Sequence, residues 1–119
     1  MSELKEITPE LIAKKALVDG VELTLTAQSS LDYFKGHFPN APILAGVVQL
    51  DWAVRYAREY LQLSGATVKQ VEVLKFQEII QAGQTINLVL TQKSAEKFVF
   101  KFQSDQCLHS SGRVLLEAE

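Results

Sequence analysis

The sequence predicts an α+β domain in which one long helix is covered by an antiparallel sheet. Three observations carry this. From Gly46 to about Leu61, Val47, Leu50, Ala53, Val54, Ala57 and Leu61 fall on one stripe at a rotation of about 100° per residue. After Gly65 the apolar residues instead alternate with polar ones, as in strands with one buried face. Asp19-Gly20 between two apolar runs marks a hairpin before the helix. A lone amphipathic helix among such strands has to bury its stripe against their sheet.

The chain of 119 residues is expected to form a single domain, residues 1–119, that buries about two-thirds of its unfolded surface. Lys plus Arg number 12 against 14 for Asp plus Glu, and no run of like charge stands out, which argues against nucleic acid as a partner. One cysteine, Cys107, allows no intrachain disulfide, and with two histidines it supplies no zinc-type ligand cluster, so no metal is expected. The opening residues lack a basic segment followed by an apolar one, and no apolar run reaches the length of a membrane span. The expectation is a cytoplasmic enzyme or binding domain without membrane insertion.

Along the chain, residues 1–10 are polar and carry no functional signal. Leu11 to Val18 and the alternating Val21, Leu23 and Leu25 form the two sides of the hairpin. Ser29 to Pro42 is irregular, with Gly36, Pro39, Asn40 and Pro42, yet holds Tyr33, Phe34 and Phe38. Exposed rings forfeit their burial energy, so this loop is expected to pack down. Gly46 and Ser64-Gly65 punctuate the helix, with Arg55, Glu59 and Gln62 opposite the stripe and Asp51 at its border. Val68 to Phe76 reads as a strand, followed at Gln77 to Ile80 by a break that suggests a bend or bulge. Ala82-Gly83 turns the chain into Ile86, Leu88 and Leu90; Ser94-Ala95-Glu96 turns it into Phe98, Phe100 and Phe102; a last strand lies near Gly112 to Glu117.

The chemistry-bearing residues cluster around the start of the helix. His37 lies between Gly36 and Phe38-Pro39, and histidine is the side chain best suited to proton transfer near neutral pH. Its bland reading is a surface hydrogen-bonding group. For Asp51 the bland reading is a partly exposed carboxylate paired with Arg55 at i,i+4 or with Arg58 at a neighbouring angle, worth roughly 0.2–0.5 kcal/mol. The functional reading is a carboxyl group kept protonated by apolar neighbours, which requires Arg55 to be turned away or used only to orient it. Gly46 is either a close turn or a backbone N–H at a positive helix end, able to hold a carbonyl oxygen as it gains charge. Base, acid and electrophilic contact suit removal of a proton next to a carbonyl with loss of a β-hydroxyl, but the residues alone leave that reaction open against chance assembly. His109, in the polar stretch Cys107 to Gly112, is expected to be exposed and without a role.

The stretch Gly36-His37-Phe38-Pro39-Asn40-Ala41-Pro42-Ile43-Leu44-Ala45-Gly46, continuing through Val47, Val48, Gln49, Leu50, Asp51, Trp52 and Ala53, resembles the helix-entry motif of the 3-hydroxyacyl-[acyl-carrier-protein] dehydratases of type II fatty-acid synthesis. Val73 to Ile86 is similar to that family's strand-turn-strand segment, so the resemblance runs from about Leu31 onward. The Gln49-Leu50-Asp51-Trp52 wording is most similar to the small dehydratases of aryl-polyene biosynthesis clusters. The resemblance implies a hotdog fold and dehydration of a (3R)-hydroxyacyl thioester to the trans-2-enoyl thioester, without a cofactor. His37 would remove the α-proton, Asp51 would protonate the leaving hydroxyl, and the Gly46 N–H would polarise the thioester carbonyl. It further implies an acyl carrier protein as partner and a homodimer whose sites take His and acid from different subunits. Phe38, Val47 and Trp52 would shape an acyl tunnel at that interface.

The chain departs from the family pattern at four places. Ala45 and Ala82 stand where prolines are usual, leaving both turns formable but less constrained. Arg55 replaces a glutamine that helps orient the acid, and Asn40 stands where glycine is common. Two further readings are a hotdog thioesterase, against which His37 and Asp51 match the dehydratase motif, and an acyl-thioester binding subunit without activity.

Overall fold

The computed structural model describes residues 9–27, 44–64, 67–105 and 107–117. Strand β1 (Glu10–Leu17) and strand β2 (Gly20–Thr26) precede helix α1 (Gly46–Tyr60), and β3 (Val68–Phe76), β4 (Thr85–Ser94), β5 (Lys97–Ser104) and β6 (Cys107–Leu116) follow it. The strands form one sheet in the order β1-β2-β4-β5-β6-β3, every neighbour antiparallel. The sheet-covered helix expected from the sequence is what the chain builds. None of the described helices is long and apolar enough to cross a membrane.

Alternation placed the central strands correctly. Val21, Leu23 and Leu25 of β2, Ile86, Leu88 and Leu90 of β4, and Phe98, Phe100 and Phe102 of β5 are all buried. Their registers align Leu23 with Leu88 and Leu88 with Phe102, so one continuous apolar face results. On β6, Gly112 lies opposite Phe100, and a Cβ there would sit 2.8 Å from the Phe100 ring. The ring fills the space a side chain would take. The β1–β2 hairpin forms with Val18 and Asp19 in its loop, and Gly20 already paired with Leu17 and Thr91. A Cβ on Gly20 would collide with the Leu90 carbonyl, so glycine is needed for strand approach. Gly83, at φ 88°, occupies the turn position that favours glycine.

Three sequence expectations are corrected. The buried helix face comprises Val48, Gln49, Trp52, Ala53 and Ala57, whereas Val47 is 75% exposed. The stripe is thus turned by about one residue, or 100°, from the expected one. Trp52 is the cause: it is the largest fully buried side chain, and it carries Gln49 inward with it, while Ala53 and Ala57 line the same face. Leu50 and Val54 pack at the margin. Strand β3 ends at Phe76 and the chain bends at Glu78, as the break at Gln77 to Ile80 predicts, while a bulge without a sequence signal lies earlier, at Val73 (φ 52°) with a register shift between Glu72 and Lys75. Strand β6 begins at Cys107, five residues earlier than Gly112. His109 is accordingly buried, not exposed.

Candidate functional site

Helix α1 starts without a side-chain cap. Ala45 holds the N-cap with extended angles, and its carbonyl accepts from the amides of Val48 and Gln49 at 3.1 and 3.2 Å. The N–H of Gly46, the first helical residue, belongs to the group that has no acceptor inside the helix. Leu44, Ala45, Gly46 and Gln49 form one wall of a cavity of about 330 Å³, and Phe76 to Ile79 form the other. The Phe76 ring lies against Gly46 so closely that a Cβ there would come within 2.7 Å of it. Glycine at this helix start therefore makes room for the Phe76 ring, and it lines a mainly apolar cleft at the positive end of the helix. An amide at such a helix start suits an oxygen that gains negative charge.

The walls are held by buried polar groups. Gln49 donates from Nε2 to the Leu44 carbonyl at 3.1 Å and accepts from Ser110 Oγ at 2.7 Å. The Leu44 amide donates to the Ile80 carbonyl at 2.7 Å, tying the two walls together at their base. His109 Nε2 lies 2.7 Å from Ser104 Oγ and its Nδ1 lies 3.2 Å from the Glu78 carbonyl oxygen. Among the described residues no buried side-chain polar atom lacks a partner.

Asp51 sits on the outward arc of the helix. Arg55 Nε donates to Asp51 Oδ2 at 2.7 Å, and both side chains are about half exposed. The local pair foreseen as the bland reading of Asp51 is present, with Oδ1 outside that hydrogen bond. Asp51 does not line the cavity at Gly46. Nor do Val47, which faces outward, and Trp52, which is enclosed in the core. His37 and Phe38 lie outside the described residues. Within the single chain, then, Gly46 meets the cavity while Asp51 and Val47 share a different, open face.

Gln49, Ser104, His109 and Ser110 were missed by sequence reasoning. A signal existed for Ser110, because the inward period of Leu116, Val114 and Gly112 extends to it. None existed for His109, which is out of phase with that series. Among the described residues, no group of three or more His, Cys, Asp or Glu side chains is placed to hold a metal.

A family model described as ApeI-like, ApeI dehydratase, matches residues 13–113. Two curated relatives, the 3-hydroxyacyl-[acyl-carrier-protein] dehydratases FabZ of Rickettsia bellii strains OSU 85-389 and RML369-C, are each 30% identical over 78 residues, 60% of this chain and 54% of theirs. The chain thus spans about half the length of these relatives. Among solved structures, a chain of the dehydratase heterocomplex ApeI:P from Xenorhabdus doucetiae superposes with a TM-score of 0.82 at 31% identity, covering 92% of this chain and 97% of that one. An uncharacterized protein from Erwinia carotovora subsp. atroseptica superposes with a TM-score of 0.73 at 30% identity, over 92% and 96% of the two chains.

Proposed function

The chain belongs to the ApeI-like dehydratase family and has its hotdog fold, and from that premise we propose that it dehydrates a (3R)-hydroxyacyl thioester, carried on an acyl carrier protein, to the trans-2-enoyl thioester. The observation that carries the reading is the helix start, where Gly46 lines a cleft walled by Phe76 and its N–H is one of those without an acceptor inside the helix. The thioester carbonyl is held there. His37 takes the α-proton, the electron pair moves toward the carbonyl oxygen, and the Gly46 N–H stabilises the charge that develops. As the pair returns to form the C2–C3 double bond, Asp51 gives its proton to the 3-hydroxyl, which departs as water. Arg55, engaged with Oδ2, orients the carboxyl group and leaves Oδ1 for the substrate hydroxyl. Exchange with solvent resets His37 and Asp51. No step calls for a cofactor.

The outward setting of Asp51 supports a site completed by a second subunit. Exposed Val47 beside it, and exposed Val73, Leu74 and Phe76 on the edge strand β3, offer apolar surface for that contact. The partner is a second copy of this chain, with Phe38 and Val47 shaping the acyl tunnel and Trp52 backing it from the core. The heterocomplex ApeI:P favours, as a second reading, a different hotdog subunit in the same place.

Mass spectrometry of a 3-hydroxyacyl thioester incubated with the purified protein tests the reaction, beside His37→Ala and Asp51→Asn variants. Loss of one water, abolished in both variants, is the expected result. Release of the free acid instead would replace this reading with thioester hydrolysis. A stable homodimer that leaves every substrate unchanged would point to a binding subunit or to a missing different partner.

A further inference from the structure

We propose that His109 is a positioning residue: through its buried imidazole it fixes the Gln77 to Ile79 wall of the cavity, and so sets where the acyl thioester lies relative to Gly46. This rests on the reading of that cavity as the thioester site.

The hydrogen bonds determine the form of the ring. The Glu78 carbonyl, 3.2 Å from Nδ1, can only accept, so Nδ1 carries the proton. In a neutral imidazole Nε2 is then bare and accepts from the Ser104 hydroxyl at 2.7 Å. Ser104 Oγ in turn accepts from Gln84 Nε2 at 3.3 Å, and Gln84 Oε1 accepts from the Gln81 amide at 3.1 Å. Each of these hydrogen bonds pairs a donor with an acceptor when Nδ1 carries the proton. The ring is 2% exposed, so it cannot exchange these partners for water without opening the structure.

The backbone shows why the ring points there. Phe102 pairs with Ser110 but Gln103 pairs with Leu108, so His109 is the extra residue of a β-bulge. A bulge re-aims a side chain that regular alternation would send to the other face. Here it lets two consecutive residues of β6 point inward, each to one wall of the same cavity. Ser110 holds the helix wall through Gln49. His109 holds the facing wall twice, through Nδ1 on the Glu78 carbonyl and through its own carbonyl, which accepts from the Gln77 amide at 2.9 Å. Spacing between the walls is thus referred to one pair of adjacent residues in the sheet. The imidazole touches no cavity space itself, and its effect passes through the backbone of Glu78.

The test uses the full chain and two variants that divide the ring's hydrogen bonds. An amide at His109→Asn reaches the Nδ1 position and keeps a donor for the Glu78 carbonyl. His109→Gln reaches toward Ser104 and loses that donor. Hydrogen exchange of residues 76–80 and steady-state dehydration of a 3-hydroxyacyl N-acetylcysteamine thioester are measured for both. Expected for His109→Gln is exchange in that segment faster by about tenfold, and a KM raised about fivefold, the worth of one ordinary hydrogen bond, with kcat changed less. His109→Asn should restore both toward the parent values. Unchanged exchange in His109→Gln, or equal impairment of the two variants at matched thermal stability, overturns the proposal. Exchange needs no substrate, so a parent protein that fails to dehydrate overturns the thioester reading, while the exchange result still decides whether His109 holds the wall.

Discussion

Gly46→Ala separates the role of this residue in folding from its role in the proposed chemistry. The added Cβ would lie 2.7 Å from two atoms of the Phe76 ring. Ordinary carbon contacts are about 3.5–4.0 Å, so the ring must retreat by about 1 Å. Phe76 is 51% exposed on the edge strand and can move outward. Shifting it costs about 0.5–1.5 kcal/mol if its rotamer is strained. Against this, alanine gains up to about 1 kcal/mol over glycine in a helix. Stability should therefore change by no more than about 1 kcal/mol, read from urea unfolding. Activity should not be spared, because the methyl group occupies the cleft where the carbonyl must approach the amide. Loss of one donor to a developing oxyanion lowers kcat by about 10²–10³. Pairing Gly46→Ala with Phe76→Ala gives the methyl group room and should recover any lost stability without recovering kcat/KM. A Gly46→Ala protein with parental kcat/KM would refute the assignment of the Gly46 amide to the thioester carbonyl.

Asp51→Asn should leave stability within about 0.5 kcal/mol, since its pair with Arg55 is exposed, while lowering kcat by about 10²–10⁴; equal kcat values would remove Asp51 from the mechanism. Phe100→Ala should destabilise by about 3–5 kcal/mol, because the ring is fully buried and also fills the space over Gly112; a shift of the urea midpoint equivalent to less than 1 kcal/mol, on the order of a surface change, would contradict that packing. Burial, reinforced by Glu59 and Tyr60 and opposed by Arg55, raises the Tyr56 hydroxyl above the ordinary 10.0. The folded state then holds this proton more tightly, so its contribution is whole below pH 10.0 and is lost as pH rises through the folded value. Stability should decline in alkali, Tyr56→Phe should lessen the slope, and an unaltered slope would show that Tyr56 is not responsible.

What was legible in the sequence was what local periodicity determines. Strands β2, β4 and β5 each carry three large apolar residues at alternate positions, and no competing pattern disturbs them. The Asp51–Arg55 pair was legible too, because i,i+4 contacts need only a helix. The rotation of the helix was not. Gln49 has no place in the apolar stripe of an isolated helix, but here its amide is satisfied by the Leu44 carbonyl and by Ser110 on a distant strand, which removes the penalty for burying it. With Gln49 inside, Trp52 comes to the centre of the buried face. His109 was illegible for a related reason: its burial depends on a bulge, and a bulge is a property of the pairing between β5 and β6 rather than of either strand alone.

The corrected helix rotation bears on where the acid acts. Between Gly46 and Asp51 the helix rises about 7.5 Å and turns by about 140°. Gly46 thereby faces the cleft under Phe76, whereas Asp51 faces out beside Val47. One substrate held by the Gly46 amide meets an Asp51 carboxyl most directly when that carboxyl comes from a second protomer. Co-expression of His37→Ala and Asp51→Asn chains decides this. If base and acid at each site come from different protomers, a mixed dimer has one doubly altered site and one intact site. With random pairing, half of the dimers are mixed and about one quarter of the parental activity returns. If both groups of a site belong to the same chain, every site carries one lesion and mixing restores nothing. Recovery near one quarter would thus locate the site across the subunit boundary, and absence of recovery in verified mixed dimers would place it within a single chain.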